Sequence, residues 1–286
     1  MADGTIARTE TRDLRSRHGR DYRIFVSCPA AEAPPPGYPV LYLLDGNATF
    51  ASAAMGVALQ SRRPEVTGVV PAIVVGIGYP VDDYLDSVRR TYDYTPDVPK
   101  EALSRRPDGS AWPATGGAGH FLDFIELELK PAIARMLPTD PARQAIFGHS
   151  FGGLFVLNAL FTRPGTFRSY IAASPSIWFG NRTILGKRDA FLAGPPPVLR
   201  SDLLVTVGDA EQASTDPESQ GAGDTTKTDW IRRNRMVENA AELVGSLSGT
   251  SRLNVTFKQF EGENHSSVLL PAIGRSLRFA LGPGSS

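Results

Sequence analysis

Cysteine is nearly missing from this chain of 286 residues: Cys28 stands alone, so no internal disulfide can form and a thiolate zinc site lacks its other ligands. As a nucleophile it has little to recommend it, ending an early strand just before Pro29. Net charge is missing too. Thirty basic and thirty acidic residues cancel, so no overall field draws the protein to nucleic acid or to an anionic membrane, and a small-molecule partner is expected. No apolar stretch is long enough to cross a bilayer, and the start Met1-Ala2-Asp3-Gly4-Thr5-Ile6-Ala7-Arg8 lacks the apolar core of a secretory signal; a cytoplasmic location is the expectation. No internal repeat of roughly 20 to 50 residues is visible, which argues against a solenoid.

What is present is a strand-turn-helix pattern around a serine. From Gln144 to Leu157 a short apolar run breaks at a glycine, presents Ser150, and resumes as a helical pattern. A hydroxyl stands clear of the backbone only on a sharp turn, and that turn crowds the residues two before and two after, here Gly148 and Gly152. The turn also sets Ser150 at a helix N-terminus, where N–H groups and the dipole favour the negative charge of an acyl-transfer intermediate. Gly-x-Ser-x-Gly alone arises by accident in roughly one chain in ten of this length. The apolar run before it and the helix after it make it specific.

The rest of the chain reads as strands alternating with helices. Residues 5–17 and Tyr22–Val26 suggest an antiparallel edge hairpin, and residues 38–44, apolar on both faces, suit a central parallel strand. Further strands are expected at 72–78, before the elbow, and at 169–174, 203–207 and 254–260. Helices are expected at 48–59, 119–136, after the elbow, and at 181–192, 229–247 and 268–281. The expected fold is α/β: a mostly parallel central sheet with an N-terminal antiparallel hairpin and helices on both faces, in one domain spanning 1–286. Two excursions, at about 80–119 and 209–228, leave the carboxyl ends of strands, where such sheets bind ligands. The first shows no periodic pattern.

If Ser150 is the nucleophile, the base must follow it, and His265 is the one histidine downstream, in a polar loop before the last helix. His149 is expected to point away from the site and pack. The acid belongs after the strand preceding the base, where Glu211 is favoured because it has left the strand and can turn toward His265; Asp209 in the same turn is the alternative. One oxyanion donor should be the N–H of Phe151 and the other an N–H of Gly46 or Asn47, which end the strand at 38–44. Residue type does not choose between the two, because the donor is backbone.

Seven motifs occur in order: Leu43-Leu44-Asp45-Gly46-Asn47, Gly76-Ile77-Gly78-Tyr79-Pro80, Arg90-Thr91-Tyr92-Asp93-Tyr94-Thr95-Pro96, Gly116-Gly117-Ala118-Gly119-His120-Phe121-Leu122, Gly148-His149-Ser150-Phe151-Gly152-Gly153, Ser174-Pro175-Ser176-Ile177-Trp178 and Glu263-Asn264-His265. Together they resemble the bacterial esterase D-type α/β-hydrolases, and within that group are most similar to the siderophore esterases that open enterobactin and salmochelin trilactones. The resemblance runs from about residue 20 to 281. It implies a metal-free serine hydrolase of carboxylic esters, without cofactor, using Ser150 and His265, and it supports Glu211. It also implies that Arg90 meets an anionic or catecholate oxygen, with an ion pair to Asp93 as the other reading, and that Trp178 walls the pocket or packs. The expected function is ester hydrolysis through an acyl-serine, on a siderophore trilactone or a similar ester. Acyl transfer, a thioesterase activity like that of S-formylglutathione hydrolase, and a non-catalytic binding role are the alternatives.

Overall fold

The computed structural model describes residues 8–106, 108–194, 200–212, 230, 232–251 and 253–282. One eight-stranded sheet organises them: β1 (Thr9–Arg15), β2 (Asp21–Ser27), β3 (Tyr38–Leu44), β4 (Ile73–Gly78), β5 (Thr139–His149), β6 (Ser169–Ala173), β7 (Ser201–Gly208) and β8 (Leu253–Phe260), in the order β1-β2-β4-β3-β5-β6-β7-β8. The pairs β1/β2 and β2/β4 are antiparallel and all others parallel. The edges are β1 and β8, so of the N-terminal hairpin only β1 lies at an edge; β2 is drawn inward by pairing with β4.

The helices are α1 (Gly46–Gln60), α2 (Pro64–Thr67), α3 (Ser87–Tyr94), α4 (Ala118–Phe124), α5 (Lys130–Met136), α6 (Phe151–Thr162), α7 (Phe179–Arg182), α8 (Ile184–Ala193), α9 (Met236–Leu247) and α10 (Leu269–Leu281). They cover both faces. Every residue of β3 is buried, and its alternation divides the core: Tyr38, Val40, Tyr42 and Leu44 join Phe121, Leu154 and Phe155 on one face, Leu41 and Leu43 join Phe50, Ile273 and Leu277 on the other. Runs apolar on both faces have no stable place except between two helical layers.

Several expectations shift. The stretch 80–119 contains α3, whose first turn is capped by the Asp86 carboxylate accepting from Arg89 N–H at 2.9 Å. Its buried face is Thr91, Asp93 and Tyr94, so it carries no apolar stripe to reveal it. The helix expected from 119 continues to Met136 through a π turn at Ile125–Leu129, just where Pro131 withholds an N–H from the ladder. The helix expected from 181 is broken: Gly180 and Asn181 have φ of 59° and 53°, and a regular helix starts only at Ile184. The long helix expected from 229 is interrupted at Arg235, φ 46°, before α9. Helix α1 begins at Gly46, two residues earlier than its polar start suggests. Most of the 209–228 excursion, everything past Gln212, lies outside the described residues. No helix among the described residues is long and apolar enough to cross a membrane.

Candidate active site

The sheet brings the carboxyl ends of β3, β5, β6 and β7 side by side, and the candidate residues sit just beyond them. Ser150 joins β5 to α6 with φ 61° and ψ −118°, a conformation costly for a side-chain residue and held here by its surroundings. Its N–H donates to Ala173 O (2.9 Å), and its own carbonyl accepts from Ser176 N–H (3.1 Å), stitching the elbow to the turn after β6. Gly148 is the residue the turn crowds: a Cβ there would lie 2.3 Å from the Gly152 carbonyl oxygen. Gly152 is less constrained, its Cβ meeting Leu44 at an ordinary 3.5 Å, whereas a Cβ on Gly153 would come within 2.8 Å of Ala173 O. The close approach of α6 to β6 thus falls on Gly153.

His265 arrives from the loop between β8 and α10. Its Nε2 stands 3.0 Å from Ser150 Oγ and its Nδ1 2.6 Å from Glu211 Oε2. Glu211 is 4% exposed. Its other oxygen accepts from Gly208 N–H (2.7 Å) and from the Ser174 hydroxyl, so contacts on both oxygens fix the carboxylate's orientation. With Nδ1–H turned to that carboxylate, Nε2 is left free to accept a proton from Ser150. The alternative acid, Asp209, is occupied elsewhere, accepting from Gly262 N–H at 2.8 Å. It ties the two loops together while Glu211 meets the imidazole. Ser150 Oγ also lies 3.4 Å from Ser176 Oγ, a neighbour 2% exposed. Ser174 and Ser176 were visible only as part of a motif, with no residue-level reason to single them out.

The N-terminus of α6 presents the Phe151 N–H, which a helix leaves without an intrahelical acceptor. At α1, Ala48 and Thr49 N–H both bond to Asp45 O, so Gly46 and Asn47 carry the first-turn donors without an intrahelical acceptor. The Gly46 glycine answers to packing: a Cβ would lie 2.7 Å from the Gly76 carbonyl carbon on β4. The Asn47 side chain is committed as well, accepting from Tyr79 N–H (2.9 Å) and donating to Tyr79 O (3.1 Å). Only its main chain is available for a ligand.

Arg90 on α3 does not pair with Asp93. Its Nε and Nη2 each bond a carboxylate oxygen of Asp45 at 2.9 Å, and Nη2 reaches the His149 carbonyl at 3.4 Å. Burial opposes the guanidinium charge, but the Asp45 carboxylate overcomes it and holds Arg90 above its usual range. Asp45 itself has φ 53° and donates its N–H to the Tyr94 hydroxyl (3.0 Å). This pair braces the residue just before Gly46. Removing one partner strands a buried charge, so Arg90→Met is expected to destabilise the fold by about 3–5 kcal/mol, and adding Asp45→Asn should recover much of that. Urea unfolding of the parent and both variants measures it.

Asp93, on the buried face of α3, meets Arg20 Nε at 3.1 Å and the Tyr79 hydroxyl at 3.1 Å. Burial pushes its carboxyl up to about 6, against the pull of Arg20. The folded protein therefore holds this proton more tightly than the unfolded chain. The stability it contributes is full below the ordinary value of 3.8 and is lost as pH rises through about 6. Asp93→Asn should abolish a decline of up to about 3 kcal/mol across that window, read from urea unfolding at stepped pH.

Trp178 is half-buried in an aromatic cluster beside the elbow, its ring centroid 6.0 Å from Phe151, 6.0 Å from Trp112 and 5.1 Å from Trp230. His149, expected to point away, instead lays its ring on His265, centroids 4.7 Å apart. Cys28 is half-buried away from these groups, and burial pushes its thiol up. No group of three or more His, Cys, Asp or Glu side chains able to hold a metal occurs among the described residues.

The sheet order, the strained serine between strand and helix, and the helices on both faces define an α/β-hydrolase fold. Residues 16–243 match the family described as "Putative esterase", and the chain belongs to that family. It is 43% identical over 98% of its length to the ferri-bacillibactin esterase BesA of Bacillus subtilis, covering 91% of that protein. It is 38% identical to the siderophore enterobactin esterase of Emericella nidulans, over 84% of this chain and 80% of that one. Among solved structures, the BES protein of Bacillus cereus superposes with a TM-score of 0.85 at 36% identity, covering 99% of both chains. The protein is a carboxylic ester hydrolase.

Proposed function

We propose that the protein opens siderophore ester linkages, of the trilactone kind, through an acyl-serine intermediate on Ser150. The observation that carries the mechanism is the line Ser150–His265–Glu211, with contacts of 3.0 Å and 2.6 Å. His265 Nε2 takes the serine proton as Oγ bonds to the ester carbonyl carbon. The oxyanion that forms is held by the Phe151 N–H and by Gly46 or Asn47 N–H. As the tetrahedral species collapses, the imidazolium returns its proton to the departing alkoxide oxygen, which for a lactone stays attached to the same molecule. Water, deprotonated by the same imidazole, then attacks the acyl-serine and frees the carboxylic acid. Glu211 holds the imidazole in the proton-accepting tautomer throughout.

The substrate class rests on two of the relatives named above, one described as a ferri-bacillibactin esterase and the other as a siderophore enterobactin esterase. Two features of this chain favour a large substrate. The excursion at 80–119 sends Trp112 against Phe151, ring centroids 5.6 Å apart, and the same Trp112 borders a cavity of about 670 Å³ with Val98, Leu103 and Pro113. Trp178 extends the aromatic wall. In this reading Arg90 braces Asp45 and the oxyanion loop and does not itself touch substrate. The test is parallel hydrolysis, followed by mass spectrometry, of a catecholate trilactone, a hydroxamate siderophore ester, a short-chain aryl ester and a glutathione thioester, with and without an acceptor alcohol. Preferred opening of a siderophore ester to hydroxy acids supports the proposal. Preference for the thioester, or transfer to the alcohol, overturns it.

A further inference from the structure

We propose that His149 is a positioning residue: its neutral aromatic face holds the His265 ring in line with Ser150 and receives the positive charge that ring acquires during catalysis. The inference rests on the Ser150–His265 reading given above.

Three observations converge. His265 is delivered by a polar loop and its side chain is 44% exposed, yet one ring packs on it among the described residues, that of His149, tilted 37° with centroids 4.7 Å apart. His149 is itself the last residue of β5, locked into the parallel ladder opposite Ala173, so it is a fixed surface against which a loop-borne ring can be held. And His149 Nε2 is buried with no hydrogen-bond partner. An apolar side chain would avoid the penalty of that desolvated nitrogen; the polar contact the imidazole gains in exchange is to the main chain of His265, the residue it would position.

The electrostatics fit a face that must not charge. Burial, then the neighbouring His265 ring, then the Arg90 guanidinium keep His149 far below its ordinary value, with only a main-chain contact at His265 opposing them. The charged groups around the pair are Arg90 from α3, Asp45 beyond β3, which already neutralises Arg90, and Glu211 beyond β7 on the far nitrogen of His265. When His265 takes the Ser150 proton, the neutral ring beside it is an acceptor for cation–π attraction, whereas a second imidazolium would repel it.

His149→Leu keeps roughly the volume and loses the π face; His149→Phe keeps the π face in a somewhat larger side chain. The Leu variant is expected to lose about tenfold in kcat with KM unchanged, and the acid limb of its kcat/KM profile should move to lower pH, because the imidazolium has lost its support. The Phe variant should recover to within about threefold of the parent, with the limb restored. Fluorophosphonate labelling rates, which need no substrate pocket, should follow the same order, and thermal unfolding of each variant shows whether the fold is intact. A Leu variant with parental kcat and pH profile overturns the inference, as does a folded Phe variant no better than Leu. Full activity in Ser150→Ala would instead remove the functional reading on which it stands.

Discussion

Ser150→Ala is expected to lower turnover on any ester substrate by about 10⁵–10⁶-fold, leaving only the acceleration that oxyanion donors and binding supply without a nucleophile. The size of the effect follows from the local geometry. Oγ is 3.0 Å from the one imidazole that can take its proton, and the elbow conformation, φ 61°, is maintained by bonds from Ala173 and Ser176 that do not involve the hydroxyl. Alanine removes the hydroxyl and leaves the scaffold unaltered, so KM and thermal stability should stay near parental values. His265→Ala should cost about as much, and the double variant little more, because the two groups act as a unit. Steady-state hydrolysis of an activated aryl ester checks the rates, and loss of fluorophosphonate labelling checks the residue. Residual activity within a factor of ten of the parent would mean another group attacks.

Glu211→Gln is expected to reduce kcat by about 10³–10⁴-fold with the fold intact. The carboxylate takes donors on both oxygens: Gly208 N–H and the Ser174 hydroxyl on one, His265 Nδ1 on the other. A glutamine in the same place must keep its oxygen toward Gly208 and Ser174, which turns its NH₂ toward His265. The imidazole then accepts at Nδ1 and carries its proton on Nε2, pointing it at Ser150 Oγ. A ring that donates to the nucleophile cannot deprotonate it. The same substitution at Asp209, which bonds Gly262 N–H, should change kcat little. If instead the Glu211→Gln enzyme retains most of its rate, the site works as a serine–histidine pair and the buried carboxylate serves the fold.

Much of this site was legible in the chain because its strongest constraints are local. A glycine two residues before a serine, between an apolar run and a helix, reports a steric requirement that any fold of this class must meet, and the structure shows that requirement as the 2.3 Å approach at Gly148. The buried strand 38–44 was equally plain, since a run apolar on both faces has one stable environment. Helix α3 was not plain. Its inner face satisfies hydrogen bonds and ion pairs with Thr91, Asp93 and Tyr94, and periodicity of hydrophobicity cannot register a face buried through polar contacts. Arg90 shows the same limit, read from the chain as a ligand contact or as a partner of the nearby Asp93, while its actual partner is Asp45, 45 positions away.

What the amino-acid order determined by itself, then, was the elbow, the alternation of buried strands and helices, and the short list of groups able to act as base and acid, because each depends on neighbours in the chain or on simple counting. What only the tertiary structure decided was which polar groups meet: Glu211 and not Asp209 on His265, Arg90 on Asp45, and His149 beneath the ring it was expected to turn from. Those pairings are set by how strand ends and loops converge beyond the sheet. Distances between segments far apart in the chain are fixed by packing of the whole core, and no local pattern encodes them.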